Sequence, residues 1–232
     1  MLEIFLYLHI VLMVFWLGGD LGVFYSSRYV IDSSLTPAAR HTALKIMLGL
    51  DLGPKICLIL FLPSGLTLMS LDAHGASLWG VPLLPWWLLV PIWLGSFAWI
   101  RLMWTDHHEP GRHPAVKRAD WAIRIAVVAG MSGAGVFTLV AAEPFGVTTN
   151  PKWLGGKVVL YALAIAAGLG IRRQLKPFGA AFFGKVMAGT ATAEDDAVVR
   201  SSVNGCLPYV WVIWGSVLLA GLLGVAKPLA NL

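Results

Sequence analysis

Apolar residues in this chain run in long blocks, and the polar residues gather between them. Six blocks, near residues 3–26, 46–71, 82–104, 121–142, 153–171 and 204–226, are long enough to cross a bilayer as helix, which takes roughly 20 residues. In lipid the backbone must satisfy its own hydrogen bonds, so blocks of this length read as helices. The predicted architecture is all-α, a polytopic membrane helical bundle of about six transmembrane helices forming one integral membrane domain over 1–232. Glu3 stands where a cleavable signal carries basic residues, and no small-residue cleavage site follows, so the first block is expected to remain as a span.

The intervals have their own patterns. Residues 105–118, TDHHEPGRHPAVKR, read as a polar turn. The longest interval, 172–203, is expected to hold a short amphipathic piece around Phe178, Phe182 and Val186 lying at the membrane interface. Thr192-Ala-Glu-Asp reads as a capping box opening a helix that carries Arg200 and Asn204 into the last span. Pro54, Pro63, Pro91 and Pro208 fall within the spans and are expected to kink them. AGMSGAG at 129–135, with Gly168 and Gly170, predicts close-packing faces, within the chain or between subunits.

Composition agrees with the blocks. The 232 residues are 58% hydrophobic and 12% charged, with a mean hydropathy of +0.76; a soluble domain carries about a quarter charged residues. Trp79, Trp86, Trp87, Trp104 and Trp153 lie near the predicted interfaces, where an aromatic belt is expected. The net charge of +5 is a topology signal. Of the 17 Lys and Arg, all but Lys55, Lys152, Lys157 and Lys227 lie in or beside the odd-numbered connections. The positive-inside rule then places those connections in the cytoplasm and both termini outside, in a bacterial-type plasma (inner) membrane, with the lipid bilayer as partner and no nucleic acid. Cys57 and Cys206 form neither a Cys-x-x-Cys pair nor a covalent haem attachment motif.

Ionisable side chains within the blocks are the candidate functional residues, because burying charge in lipid is costly. His9, Met13, Trp16 and Asp20 share one helix face. The apolar run Ile56–Leu71 makes only about 24 Å of helix, short of a ~30 Å core, so the second span takes in Lys55 and Asp51, spaced to pair within the helix. Alternating helix directions put Asp20, Asp51 and Lys55 at one depth in the cytoplasmic half, with Arg28, Arg200 and Asn204 at that boundary. His9 falls in the outer half, near Lys157. Each group also has a structural reading: His9 as a hydrogen-bonded packing residue, Asp51–Lys55 as a neutralised pair. Asp106, His107, His108, Glu109 and His113 have metal-ligand chemistry in what reads as a solvated turn. His41 and His74 fall at interfaces with no partner visible in sequence. No catalytic residue is assigned.

The segment YLHIVLMVFWLGGDLGVFYSSRYVID resembles the first helix of the HemJ-type membrane protoporphyrinogen oxidases and their relatives near copper-resistance protein D. LKIMLGLDLGPKICLILFLPSGLTL resembles their second helix and WLGGKVVLYALAIAAGLGIRR the next. Arg200, Asn204 and Pro208, with the terminal Val-Ala-Lys-Pro, resemble the last. The resemblance covers somewhat over half the chain. It implies a bundle binding haem b, with His9 as the iron ligand and Arg28, Lys157, Arg200 and Asn204 as polar partners of a porphyrin. The chain departs from that pattern in its two central helices, in Gly205 where an acidic residue is expected, and in lacking a second histidine on the fifth span.

The leading expectation is therefore a membrane b-type haem redox protein, in which His9 binds the metal and electrons pass to a quinone or a partner protein; porphyrinogen oxidation is its enzymatic form. Met69 and His74 are the outer-half candidates for a second axial ligand. The alternatives are a copper or small-solute transporter, for which Met13, Met47, Met69, Cys57 and His9 are suitably soft ligands, and a non-catalytic subunit of a larger membrane complex or a homo-oligomer.

Overall fold

The computed structural model describes residues 1–71, 86–109, 111–144 and 152–227, and all of Trp86 except its side chain. His74, Trp79 and Pro228 lie outside the described residues. Among those described there is no strand. In chain order the helices are α1 (Leu2–Val30), α2 (Pro37–Leu71), α3 (Trp86–His108), α4 (Pro114–Val140), α5 (Lys152–Gln174), α6 (Lys176–Ala181), α7 (Ala193–Asn204) and α8 (Leu207–Ala226), with a π-helical turn at Phe182–Val186. Six helices are long and apolar enough to cross a membrane. Their outward faces carry residues such as Val14, Phe15, Leu94 and Leu222, each more than half exposed. Apolar surface of this extent on helices of this length is what a lipid bilayer covers, and the chain is built as a multi-pass membrane bundle.

The spans pack around a ring in chain order, α1 on α2, α2 on α3, then α4, α5 and α8, which returns to α1. The start of α1 and the end of α8 lie at one end. The connections rich in Arg and Lys lie at the other, called the basic end below. Leu12, Trp16, Ile59, Trp99, Met103, Ile165 and Ile213 fill the ring.

The helices outrun the apolar blocks because a helix continues until a stop signal arrives. α2 begins at Pro37, after Thr36 accepts the Ala39 N–H at 3.3 Å, and α4 begins at Pro114; proline suits a first turn, where its missing N–H is not needed. α3 runs on through Asp106, His107 and His108. The expected polar turn at 105–118 therefore shrinks to the interval between His108 and Pro114, in which Gly111 lies in the left-handed region.

Pro54, Pro63 and Pro91 sit inside helices. Pro208 does more than kink the last span: its ring would clash with the carbonyl of Asn204, four residues back, and the helix breaks at Gly205–Cys206 into α7 and α8. Gly205 lies under the Gln174 side chain, in space that a larger residue would need. The Thr192–Asp195 capping box forms as expected.

The amphipathic piece also forms, and its apolar face is turned onto protein. Phe178, Phe182 and Val186 pack with Val30, Leu44, Val199 and Val203 into a second core at the basic end. Arg40 locks it, giving its Nε–H to the Val30 carbonyl at 2.9 Å and pairing with Asp196 at 2.7 Å. Outside the spans, the Asp32 carboxylate is held below its ordinary pKa by hydrogen bonds from the Ser34 hydroxyl and backbone N–H.

Of the predicted packing faces, Gly135 meets α5. A Cβ there would lie 2.7 Å from Val159 Cγ2 and 3.0 Å from the Gly155 carbonyl, so α4 and α5 approach backbone to backbone. Gly170 makes room for the Tyr209 ring, whereas Gly130, Gly133 and Gly168 face open space.

Candidate functional site

The polar interior is divided into an outer and an inner layer. The outer layer centres on His9 of α1. Its Nδ1 lies 2.8 Å from Ser64 Oγ on α2, and its ring packs on Phe61 with centroids 4.4 Å apart. Ser64 Oγ also lies 2.7 Å from the Leu60 carbonyl, which can only accept, so the single hydroxyl hydrogen is directed there. The His9 bond must then run from Nδ1–H to Ser64, and this network assigns the tautomer with the lone pair on Nε2. No hydrogen bond reaches Nε2 among the described residues.

Lys157 of α5 is close enough for its charge to act on the imidazole, and its ammonium lies 6.0 Å from the centre of the Trp153 ring. Glycines on α8 admit the neighbouring side chains. A Cβ at Gly224 would lie 2.6 Å from Lys157 Nζ, and one at Gly221 2.8 Å from Met13 Sδ. Met69 packs on Leu154 near Trp153.

The inner layer holds Asp20, Asp51 and Lys55. The predicted Asp51–Lys55 ion pair is present within α2. Asp20 faces both members of that pair and the indoles of Trp16 and Trp214. Arg28 stacks over Phe24, with its guanidinium 4.8 Å from the ring centre. Arg28, Arg200 and Asn204 are exposed at the basic end. About 28 Å of helix separates Arg28 from His9. The structure thus brings His9 together with Lys157 and keeps the other three polar residues expected at a porphyrin in a different part of the molecule.

A third constellation escaped the sequence reading. Asp120 of α4, fully buried, accepts from Trp99 Nε1 at 2.7 Å, from Arg124 Nε at 3.0 and 3.2 Å, and from Arg172 at 2.6 Å. One carboxylate thereby ties α3, α4 and α5. The signal for it was the Asp120–Arg124 spacing of four, the same spacing that revealed Asp51–Lys55. Tyr161 adds a bond from its hydroxyl to the Leu58 carbonyl at 2.8 Å, joining α5 to α2.

The acid-and-histidine turn forms only local contacts. His108 stacks on Trp104, while His113 and Arg112 both reach Glu109, at 2.9 and 3.2 Å. No group of three His, Cys, Asp or Glu placed to hold a metal occurs among the described residues. No family model, curated protein or solved structure matches the chain.

Proposed function

We propose that this is a b-type haem-binding redox protein of the bacterial inner membrane, in which His9 would ligate the iron and Lys157 would offer a cation to a haem carboxylate. The tautomer of His9 carries the proposal. Histidines that ligate a metal through one ring nitrogen almost always donate the other N–H to an oxygen, and Ser64 supplies that oxygen here. The donor set suits a haem iron with a single protein ligand: one imidazole with a free lone pair, and the Lys157 ammonium within range of its charge, with no ion pair to a carboxylate among the described residues. When bound, haem supplies reversible one-electron chemistry. The chain supplies the rest: Ser64 fixes the ligand's orientation, Phe61 packs against its ring, and Lys157 offers charge to a carboxylate. A quinone or a partner protein is the proposed electron acceptor, and the basic end faces the cytoplasm.

The same lone pair, with Met13 one helical turn away, also suits Cu(I). One experiment separates the two. Protein expressed with ample haem and purified in detergent should show a Soret band and a reduced α-band, both lost or shifted in His9→Ala while the variant still elutes as a folded species. A folded preparation with no Soret absorbance refutes the haem reading. Copper bound in equal proportion to the chain, with no haem band, would replace haem with copper.

A further inference from the structure

We propose that Asp20 is a proton-binding site inside the membrane, loaded from the basic end past His107, Asp51 and Lys55. The inference does not depend on what His9 binds.

Helix register puts these groups together. Along α1 and α2, His9 meets Ser64, the Gly19 backbone meets Pro54, and Gly22 meets Leu50. That antiparallel run sets Asp20 level with Gly53, midway between Asp51 and Lys55. Along α2 and α3, Trp93 donates to Thr67 at 3.0 Å, and the same reasoning sets His107 level with Gly53 too. Three helices therefore bring their ionisable side chains to one depth, and the charges of Asp51 and Lys55 act on both Asp20 and His107.

The charges in this layer do not balance. Asp51 and Lys55 close an ion pair on each other. Asp20 has no ion-pair partner among the described residues; the groups facing it are Trp16 on its own helix, Asp51, Lys55 and the Cys57 thiol from α2, and Trp214 from α8. Two indoles can donate hydrogen bonds but cannot neutralise a carboxylate. In a low-dielectric interior an uncompensated carboxylate is costly, and taking up a proton removes the charge.

Access is one-sided. The Asp51 and Lys55 side chains keep 29% and 27% of their surface exposed, and His107 lies in the last turn of α3. Towards the outer layer the way is closed by Trp16, 3% exposed and edge-on to Phe61 at 5.4 Å between centroids, and by Leu12. In this proposal the layer is a well that fills and empties from the basic end.

Dicyclohexylcarbodiimide, which couples to protonated carboxyls in apolar settings, tests this on the unaltered chain. After labelling at about pH 6, tandem mass spectrometry should find Asp20 modified about tenfold more than Asp51 or Asp120, intramembrane carboxyls that are paired with cations. Arg28, Arg40 and Lys45 put Asp20 and Asp51 on separate tryptic peptides. Lys55→Met should raise the Asp20 label severalfold at about pH 8, because it removes the cation facing it. An Asp20 label no greater than that of Asp120 overturns the proposal. Suppression by sodium chloride but not by choline chloride overturns the assignment to protons in favour of sodium.

Discussion

Replacing Asp120 by asparagine tests how the basic half of the bundle is held together. Asparagine keeps the size of the side chain but removes the one negative charge between two guanidiniums. Its amide also points hydrogens towards Arg124 or Arg172, which have only donors to offer. Arg124 is 3% exposed, and one of its terminal nitrogens already has no hydrogen-bond partner. It would be left as a buried cation with no anion opposite, facing only an amide and the Trp99 ring. Removing one partner of a buried ion pair costs about 3–5 kcal/mol. For a chain of this size each kcal/mol lowers the melting temperature by about 2–4 °C, so the loss should be on the order of 10 °C. The assay is heating in detergent followed by size-exclusion chromatography of what survives. Glu109→Gln is the control: it breaks pairs with Arg112 and His113 that are largely exposed, and exposed pairs contribute about 0–1 kcal/mol. An Asp120→Asn protein that melts with the Glu109→Gln control would refute the view that this carboxylate ties α3, α4 and α5.

The other predictions use the same assay or a simple reporter. Lys55→Met alone should destabilise more than Lys55→Met with Asp51→Leu, because the single change strands a charge; simple additivity would mean the pair contributes nothing. Gly155→Ala should cost about 1–3 kcal/mol, since its new methyl would lie 3.0 Å from both the Gly135 carbonyl and Thr138 Cβ. Gly133→Ala, whose methyl meets nothing, should be neutral or stabilising by up to about 1 kcal/mol; equal effects at the two sites would contradict the α4–α5 contact. Fusions of alkaline phosphatase and of a cytoplasm-only fluorescent protein should place residues 105–118 and 174–195 inside and both ends outside, and a fluorescent C-terminal fusion would reverse that orientation.

The spans were legible because lipid imposes a length and a polarity on each helix, and both are written locally in the apolar blocks. Helix ends were less legible. The bilayer sets a minimum length, but the actual stops depend on caps and prolines, so α2 starts at Pro37, nine residues before the apolar block. Pro208 shows why a single residue is ambiguous. Pro54 and Pro63 are tolerated inside α2, whereas Pro208 starts α8 after a break whose turn also needs Gly205 beneath Gln174. Sequence proximity does not reveal that contact. The piece around Phe178 was recognisable as amphipathic, but its apolar face has two possible solvents, lipid and protein. Only the fold shows that Val30, Leu44 and Val199 supply the second.

The interior chemistry divides along the same line. Asp51 and Lys55 sit one turn apart on a single helix, so spacing alone could pair them, and the structure shows the pair closed. Asp120 and Arg124 have the same spacing, but Asp120 stands at the edge of its apolar block, where a charge looks like an ordinary flank. What makes it an interior residue is Trp99 and Arg172 arriving from other helices. The sequence likewise singled out His9 but could not assign its tautomer. That depends on Ser64 on a different helix, and on Ser64 in turn directing its only hydrogen to Leu60. A histidine in a span is a signal any reader of the sequence can see. Which of its nitrogens keeps a lone pair is set by a hydrogen-bond chain across two helices, and that nitrogen is where its chemistry would take place.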